Sequence, residues 1–323
     1  MIKYNDNTIN KWYNDGELIK VYYNDNVCYY KISGEAPTPP TPHDYSEDYL
    51  TLVAQTNNVS FSYSTASSSN RLQYSLDSGS TWSNLSNGSS TTSVNSGAKV
   101  LFKAIGLSID SERGIGTITP SAAATVEGNI MSLCYGDSFT GQTVIPSNFQ
   151  FRRLFSGVTT ITSAENMVIP ATTVKKMCYS NMFQGCSNLV TAPSVIGSSA
   201  MTWSGDYLWS DMFHDCTSLV NAPQLPALTL GTQCYWYMFE GCTSLQTAPE
   251  LPAPTVNTQS YQGMFKNCSS LNYIKVLSNS SFSMQEWVYG VAASGTFVKN
   301  PNAAWSSCGT DKYPCNWTVQ NNN

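Results

Sequence analysis

The sequence predicts a mainly β protein with short helices, arranged as an N-terminal β-repeat module, a small β-sandwich-like domain and a C-terminal repeat solenoid. Three observations lead to this prediction. Short runs of alternating apolar residues lie between clusters of Asn, Asp and Gly, a Pro-rich segment interrupts the chain, and a motif recurs in the C-terminal half. With 323 residues, the chain is long enough to bury more than one hydrophobic core.

Residues 1–34 predict short antiparallel strands that serve for docking or oligomerisation. Tyr-Asn pairs beginning at Tyr4, Tyr13 and Tyr23 each open a turn-like cluster, and alternating apolar positions follow each pair. The sequence is nearly palindromic about Asp25, a pattern typical of a hairpin. A module of this size is too small to be stable alone, so we expect it to fold against a second copy or a docking partner.

Residues 35–45 predict a stiff linker, because the segment 36–42 reads Ala-Pro-Thr-Pro-Pro-Thr-Pro. Proline fixes φ and favours polyproline II, which gives a semi-rigid spacer of about 20 Å at ~3.1 Å per residue. Such a spacer holds the N-terminal module apart from the rest of the chain.

Residues 46–130 predict a small antiparallel sandwich or barrel. Short alternating runs such as 59–63, 72–75 and 99–104 are separated by turn signals.

Within this domain, the segment 75–82 matches the Asp-box pattern Ser-x-Asp-x-Gly-x-x-Trp and resembles the Asp-boxes of sialidase-like propellers. We expect Asp77 to bond backbone amides, Gly79 to take a positive φ, and Trp82 to pack under the hairpin. A propeller needs several copies and the chain has one, which favours a structural hairpin over glycosidase chemistry.

The clearest pattern is a repeat of the form Met-Phe-x-x-Cys-x-x-Leu-x-x-Ala-Pro in residues 131–275. Its Met residues are 30, 26 and 26 residues apart, at Met182, Met212, Met238 and Met264. An aromatic residue stands four places before each Phe, and positions i and i+4 share one face of a helix. We therefore expect a short inward-facing helix in each repeat, with Leu-x-x-Ala-Pro as a short strand of a parallel sheet. Residues 276–323 are predicted to cap the stack.

This repeat resembles the BspA-like leucine-rich-repeat family, found in surface proteins of gut Bacteroidales and in their phages. The resemblance covers about residues 72–323 and includes the closing segments 295–299 and 316–319. It implies a leucine-rich-repeat solenoid with binding or adhesion roles and no catalytic residues. The Tyr-Asn repeat of residues 1–34 is similar to N-terminal segments of virion proteins of crAss-like phages.

Ten cysteines raise the question of disulfides. Six occupy fixed repeat positions and are better explained as buried free thiols: Cys178, Cys186, Cys216, Cys234, Cys242 and Cys268. If the chain holds a disulfide, we expect it between Cys308 and Cys315 in the cap. With no Cys-x-x-Cys and two histidines, we expect no metal site and no cofactor. His214 occupies a variable repeat position, which we expect to be exposed.

Charge and hydropathy argue against several functions. The net charge is −5 and no basic run exceeds two residues, so we expect no nucleic-acid partner. No segment approaches the ~18 apolar residues of a membrane span. Because polar residues follow Met1, we expect no secretory signal peptide. No pair of carboxylates is identifiable for acid–base work, so we assign no catalytic residues and expect no enzyme.

Two groups of side chains are candidate ligand contacts. The alternative for each is that it belongs to the ordinary surface or to the packing of the cap. Aromatic residues outside the inward columns are placed to stack on a sugar ring: Trp203, Trp236 and Tyr237. Polar positions between the Leu and Ala of the motif form the second group: Thr191, Asn221, Thr247 and Tyr273.

These patterns favour a structural or binding protein of a phage virion, a head or tail fibre or decoration, made in the host cytoplasm and displayed on the virion surface. It would attach to other virion proteins through residues 1–34, form a dimer or trimer, and bind a host-surface glycan or protein. The alternative is a bacterial cell-surface adhesin. A third hypothesis, a polysaccharide-degrading enzyme, depends on Asp77 and exposed aromatic residues alone.

Overall fold

The computed structural model shows a mainly β protein with one short α-helix among the described residues. Residues 43–66, 71–105 and 114–322 are described, apart from the side chains of residues 71, 105, 203 and 204, and within residues 1–42 the backbone of five short strands is described. The chain divides into two compact units, Met1–His43 and Asp44–Asn323. None of the described residues belongs to a helix long and apolar enough to cross a bilayer.

The N-terminal unit contains the predicted antiparallel strands. They are β1 (Lys3–Tyr4), β2 (Asn7–Thr8), β3 (Trp12–Asn14), β4 (Leu18–Tyr23) and β5 (Asn26–Lys31). Strand β1 pairs with β2, and β3, β4 and β5 form an antiparallel meander. The register pairs Tyr23 with Asn26, which confirms the hairpin predicted about Asp25. The predicted linker segment 36–42 lies outside the described residues.

A six-stranded sheet and a two-stranded sheet form the first part of the second unit. The strands are β6 (Leu50–Ala54), β7 (Phe61–Ser64), β8 (Arg71–Ser75), β9 (Ser83–Leu85), β10 (Lys99–Ile105), β11 (Thr117–Pro120), β12 (Ala124–Asn129) and β13 (Ile161–Val168). The large sheet has the order β13-β12-β6-β10-β8-β9, and β11 pairs with β7. Phe61 of β7 meets Phe102 of β10 edge to face at 6.1 Å, so the two sheets share a core.

Strand β13 pairs parallel to β12, whereas the other pairs of this sheet are antiparallel. The sheet predicted for residues 46–130 therefore continues into the repeats. Short helical segments precede β6 and follow β12 in the sequence: a 3-10 turn at Tyr45–Glu47, the helix α1 (Ser132–Tyr135) and a 3-10 turn at Gly136–Ser138.

Parallel pairs mark the rest of the unit. They are β14 (Thr173–Lys175) with β15 (Thr202–Ser204), and a three-stranded sheet of β16 (Tyr273–Val276), β17 (Thr296–Lys299) and β18 (Thr318–Asn321).

The predicted helix in each repeat is wrong. The corresponding stretches, which we call turn segments, are residues 149–158, 177–186, 207–216, 233–242 and 259–268. In each one, every fourth residue has a positive φ, for example Met177 at 53°, Asn181 at 58° and Gly185 at 72°. A helix requires consecutive right-handed residues, so a left-handed residue in every four breaks it into successive tight turns.

Hydrogen bonds between repeats replace those of a helix. The N–H of Tyr179 donates to the carbonyl of Leu208 at 3.2 Å, and the N–H of Phe183 donates to the carbonyl of Met212 at 2.9 Å. The same bond joins Phe213 to Met238 and Phe239 to Met264. Alternate backbone amides thus pair each turn segment with the next, and we call residues 149–275 the repeat stack and residues 276–323 the cap.

The predicted inward columns are confirmed, for a different backbone reason. Because the conformation repeats every four residues, the aromatic residue and the Phe four places later both face the core. The Phe column holds five fully buried rings stacked at 5.3 to 5.7 Å: Phe155, Phe183, Phe213, Phe239 and Phe265. Successive repeats therefore share one apolar interior.

The Leu-x-x-Ala-Pro pieces are shorter than the predicted strands. They meet through single parallel bridges, such as Thr191 with Asn221 and Thr247 with Tyr273. Proline directly after Ala lacks an N–H, which limits how far such a ladder extends.

Candidate binding faces of the repeat stack

Four of the candidate contact residues lie on one face, which we call the bridge face: Thr191, Asn221, Thr247 and Tyr273. Thr191 and Asn221 pair through a parallel bridge, and the Asn221 side-chain amide donates to the Thr191 hydroxyl at 3.2 Å. Thr247 and Tyr273 form a second bridge. Asn221 and Thr247 are exposed, while Thr191 and Tyr273 are half-buried.

Apolar side chains border these polar positions. Val190 and Val220, each one residue before the bridge position, are 43% and 47% exposed, and Val220 donates its N–H to the Val190 carbonyl at 2.9 Å. The equivalent residues of the next two repeats are Gln246 and Asn272, which are exposed and polar. The bridge face is therefore a surface of uncharged side chains that differ from repeat to repeat.

Trp236 and Tyr237 lie on the turn segment 233–242, away from the bridge residues in sequence. The indole of Trp236 meets Tyr237 edge to face at 4.5 Å and Tyr207 at 5.9 Å, and its Nε1 is buried without a hydrogen-bond partner. Tyr237 lies against Gly263, where a Cβ would fall 2.2 Å from the ring. Both rings are half-buried in contacts with neighbouring repeats, and their role as sugar contacts stays a prediction.

Trp203 lies in β15, where it pairs with Val174 of β14. Its side chain is outside the described residues.

A charged cluster on the turn segments was not foreseen. His214, predicted to be simply exposed, is half-buried, with its side chain 24% exposed. Its Nδ1 lies 3.2 Å from Asp211, and its Nε2 lies 3.5 Å from Asp215 and 3.7 Å from Glu240 in the next repeat. The hydrogen bond with Asp211 raises the pKa of His214, and Asp215 and Glu240 raise it further against the effect of partial burial.

The cluster continues along the stack. Lys266 lies 3.5 Å from Glu240 and 2.8 Å from Glu286, and its ammonium also stands 5.5 Å from the centre of the Tyr237 ring. The ion pair with Glu286 is the main cause of a raised pKa of Lys266. The sequence did carry a signal for this arrangement, because His214, Glu240 and Lys266 occupy the same position in consecutive repeats.

The Asp-box forms the expected hairpin between β8 and β9. The carboxylate of Asp77 accepts from the Thr81 amide at 2.8 Å and from the Thr81 hydroxyl at 2.6 Å, and Gly79 has a φ of 90°. These bonds, with that of the Thr81 hydroxyl foremost, lower the pKa of Asp77 to about 2. Trp82 donates its indole N–H to the Gly79 carbonyl at 3.0 Å. The carboxylate thus stabilises a turn, which favours the interpretation of the motif as a structural hairpin over glycosidase chemistry.

A second set of contacts joins this hairpin to the 3-10 turn at Gly136–Ser138, which lies between β12 and β13 in the sequence. The ammonium of Lys103 lies 2.7 Å from Asp137 and 4.1 Å from the centre of the Trp82 ring. Tyr49 donates its hydroxyl to the same carboxylate at 2.7 Å, and its ring is 5.0 Å from that of Trp82. Sheet, hairpin and the 3-10 turn at 136–138 are thereby tied together.

The six repeat cysteines are buried free thiols, as predicted, and Cys308 and Cys315 form a disulfide with Cα atoms 5.0 Å apart. Four repeat thiols are more than small apolar groups, because each donates to the carbonyl of a Phe in the preceding repeat. Cys216, for example, donates to Phe183 at 3.1 Å, and Cys186, Cys242 and Cys268 do the same at 3.0 to 3.1 Å. Burial raises the pKa of these thiols, which keeps them protonated and able to donate.

Comparison of the chain with protein-family models, with curated proteins and with solved structures finds no match.

Proposed function

We propose that the repeat stack is a leucine-rich-repeat solenoid of the BspA-like type, carried by a structural protein of a phage virion and displayed for attachment to a host surface. Head fibre, tail fibre and decoration protein are all consistent with this role. The observation that supports it most is the division of each repeat into fixed inward and variable outward positions. Phe183, Phe213, Phe239 and Phe265 keep one interior, whereas the bridge face changes at each step.

The bridge face is the part of this solenoid that we assign to ligand binding. It presents hydroxyl, amide and valine side chains, and Val190 and Val220 leave nearly half of their surface exposed. A surface of this kind suits a host glycan or an uncharged protein surface, because it offers neutral hydrogen bonds and apolar contact without the need to desolvate charge.

The N-terminal unit is the part that we assign to attachment within the particle. Its strands are two to six residues long, and sheets of two and three such strands are marginal on their own. Docking on other virion proteins, or on one another in a dimer or trimer, would complete their packing.

Immunogold labelling of purified particles tests the virion role. We expect antibodies against the full chain to label the heads or the tails of phage particles made by cells that encode it. If the chain is found in the host cell envelope and not in particles, the virion proposal is overturned in favour of a cell-surface adhesin.

Cell-binding assays test the role of the bridge face separately. We expect the double variant Val220→Ser, Asn221→Ala to lose most of the binding of the full chain to Bacteroidales cells. The matched control Gln184→Ala, on a turn segment, should bind as the unmodified chain does. Equal loss in both variants would show that the bridge face is not the binding surface.

A further inference from the structure

The charged cluster of the turn segments forms a ladder of alternating sign along the stack. It runs from Asp211, Asp215 and His214 of one repeat through Glu240 and Lys266 of the next two, and it ends at Glu286 of the cap. The nitrogen–oxygen distances between neighbours are 2.8 to 3.7 Å. Each charge on one repeat therefore faces an opposite charge on its own or the following repeat, provided that His214 carries a proton.

We propose that His214 is a pH-sensitive tie between two repeats. When it is protonated, it joins Asp215 of its own repeat to Glu240 of the next. When it is neutral, these carboxylates face one another without a cation between them, and the ladder is interrupted at this step. Lys266 holds the following step at any pH near neutrality, so a single side chain decides whether the ladder is continuous.

The surroundings of His214 make this contact between repeats sensitive to the protonation of the imidazole. The imidazole has carboxylates on both nitrogens, with Asp211 at 3.2 Å on Nδ1 and Asp215 and Glu240 at 3.5 and 3.7 Å on Nε2. The side chains of Asp211 and Glu240 are only 16% exposed, so solvent screens these contacts less than it screens surface ion pairs. The preceding repeat has the uncharged Gln184 at the equivalent position.

The direction of the effect follows from proton linkage. A histidine whose pKa is raised in the folded state binds its proton more tightly there than in the unfolded chain. The stability that it contributes is therefore complete below the ordinary histidine pKa of about 6.5, and it is lost as the pH rises through the folded-state value.

Chemical unfolding of the full chain at a series of pH values tests the proposal. Between about pH 5.5 and about pH 8.5, we expect the unfolding equilibrium constant of the unmodified chain to increase several-fold relative to that of His214→Gln. Glutamine is the residue of the preceding repeat, so the variant should fold. Lys266→Gln is the matched control: it should raise the unfolding equilibrium constant by the same factor at every pH in this range. Parallel pH profiles for the unmodified chain and His214→Gln would overturn the proposal.

An NMR titration of the unmodified chain provides a second readout. The chain has two histidines, His43 and His214, and the signal that is missing from the spectrum of His214→Gln belongs to His214. We expect the His214 signal of the unmodified chain to titrate with a midpoint above the ordinary pKa of about 6.5. High salt screens the neighbouring carboxylates, so it should bring the midpoint closer to that ordinary value. A midpoint at or below that value would also overturn the proposal.

Discussion

The repeat stack and the C-terminal cap use the same residue types in opposite geometries. In the stack, neighbouring Phe rings from Phe183 to Phe265 lie within 6° to 10° of parallel. In the cap, Phe282, Trp287, Phe297 and Trp305 meet one another at 62° to 81°, while Phe297 stacks on Tyr313 at 19°. Parallel rings follow from identical side chains on identical backbones, and they offer the same face to a further repeat. The last Phe ring, Phe265, instead meets Trp287 at 51°, and a tilted ring does not offer the same face to a further repeat. The difference shows how a chain both builds and ends a stack.

The largest expected effect comes from removing a ring in the middle of the stack. Phe213→Ala deletes a fully buried ring that contacts Phe183 at 5.6 Å and Phe239 at 5.5 Å. We expect the free energy of unfolding to fall by about 3–5 kcal/mol. Urea unfolding followed by tryptophan fluorescence measures it. The control Val220→Ala, at an exposed position, should change stability by less than about 0.5 kcal/mol; comparable losses in the two variants would contradict the inward placement of the Phe column.

The cap has a covalent constraint that the stack lacks. Replacing both Cys308 and Cys315 by Ser opens a loop with a sequence separation of 7. We expect a loss of about 2 kcal/mol from loop-closure entropy. Thermal unfolding with and without a reductant gives the comparison: the reductant should lower the midpoint of the unmodified chain and leave that of the double variant unchanged.

The thiol column should contribute through its hydrogen bonds as well as its volume. Cys216→Ala removes the donor to the Phe183 carbonyl, and we expect a loss of about 1–2 kcal/mol. Cys216→Ser retains a donor at the same place and distinguishes the hydrogen bond from apolar packing. If the thiol matters only as an apolar group, the serine variant will be the less stable of the two.

How far the sequence predicts this molecule depends on which property is considered. Identical Met, Phe, Cys and Leu at regular intervals predict the inward columns, because only a shared interior explains such repetition. The backbone was predicted wrongly, since an i, i+4 spacing is shared by helices and by turns that repeat every four residues. A signal for the turns was present in Gly185, Asp215, Gly241 and Asn267, all residue types that accept a positive φ.

The candidate site was predicted less well for a related reason. The bridge positions follow from the repeat, whereas the half-buried setting of Trp236 depends on Tyr207, which stands at a different repeat position. Gly263 stands at the same repeat position as Tyr237, 26 residues later, so the repeat does indicate that these two residues are neighbours. The repeat does not show that the Tyr237 ring lies against that glycine rather than in solvent.

The smallest expected effect on stability comes from the Asp-box hairpin, which lies outside both the stack and the cap. Because Asp77 accepts two hydrogen bonds from Thr81, we expect its carboxyl to titrate at about 2 in the folded protein. The stability associated with this depressed pKa is present above the ordinary carboxyl value and is lost as the pH falls towards about 2. Carbon-detected NMR of the carboxyl measures it, and Thr81→Val should move the midpoint upwards; an unchanged midpoint would contradict the assigned bonds.

Cross-linking between repeats tests the parallel stacking most directly. Thr191 and Asn221 pair through a bridge between adjacent repeats, and Thr247 belongs to the repeat after Asn221. At a bridge spacing of about 4.8 Å, cysteines at 191 and 221 fall within disulfide range, whereas residues two repeats apart do not. We predict an intramolecular disulfide in Thr191→Cys, Asn221→Cys under mild oxidation, and none in Thr191→Cys, Thr247→Cys. The opposite outcome, or equal cross-linking in both variants, would contradict the stack.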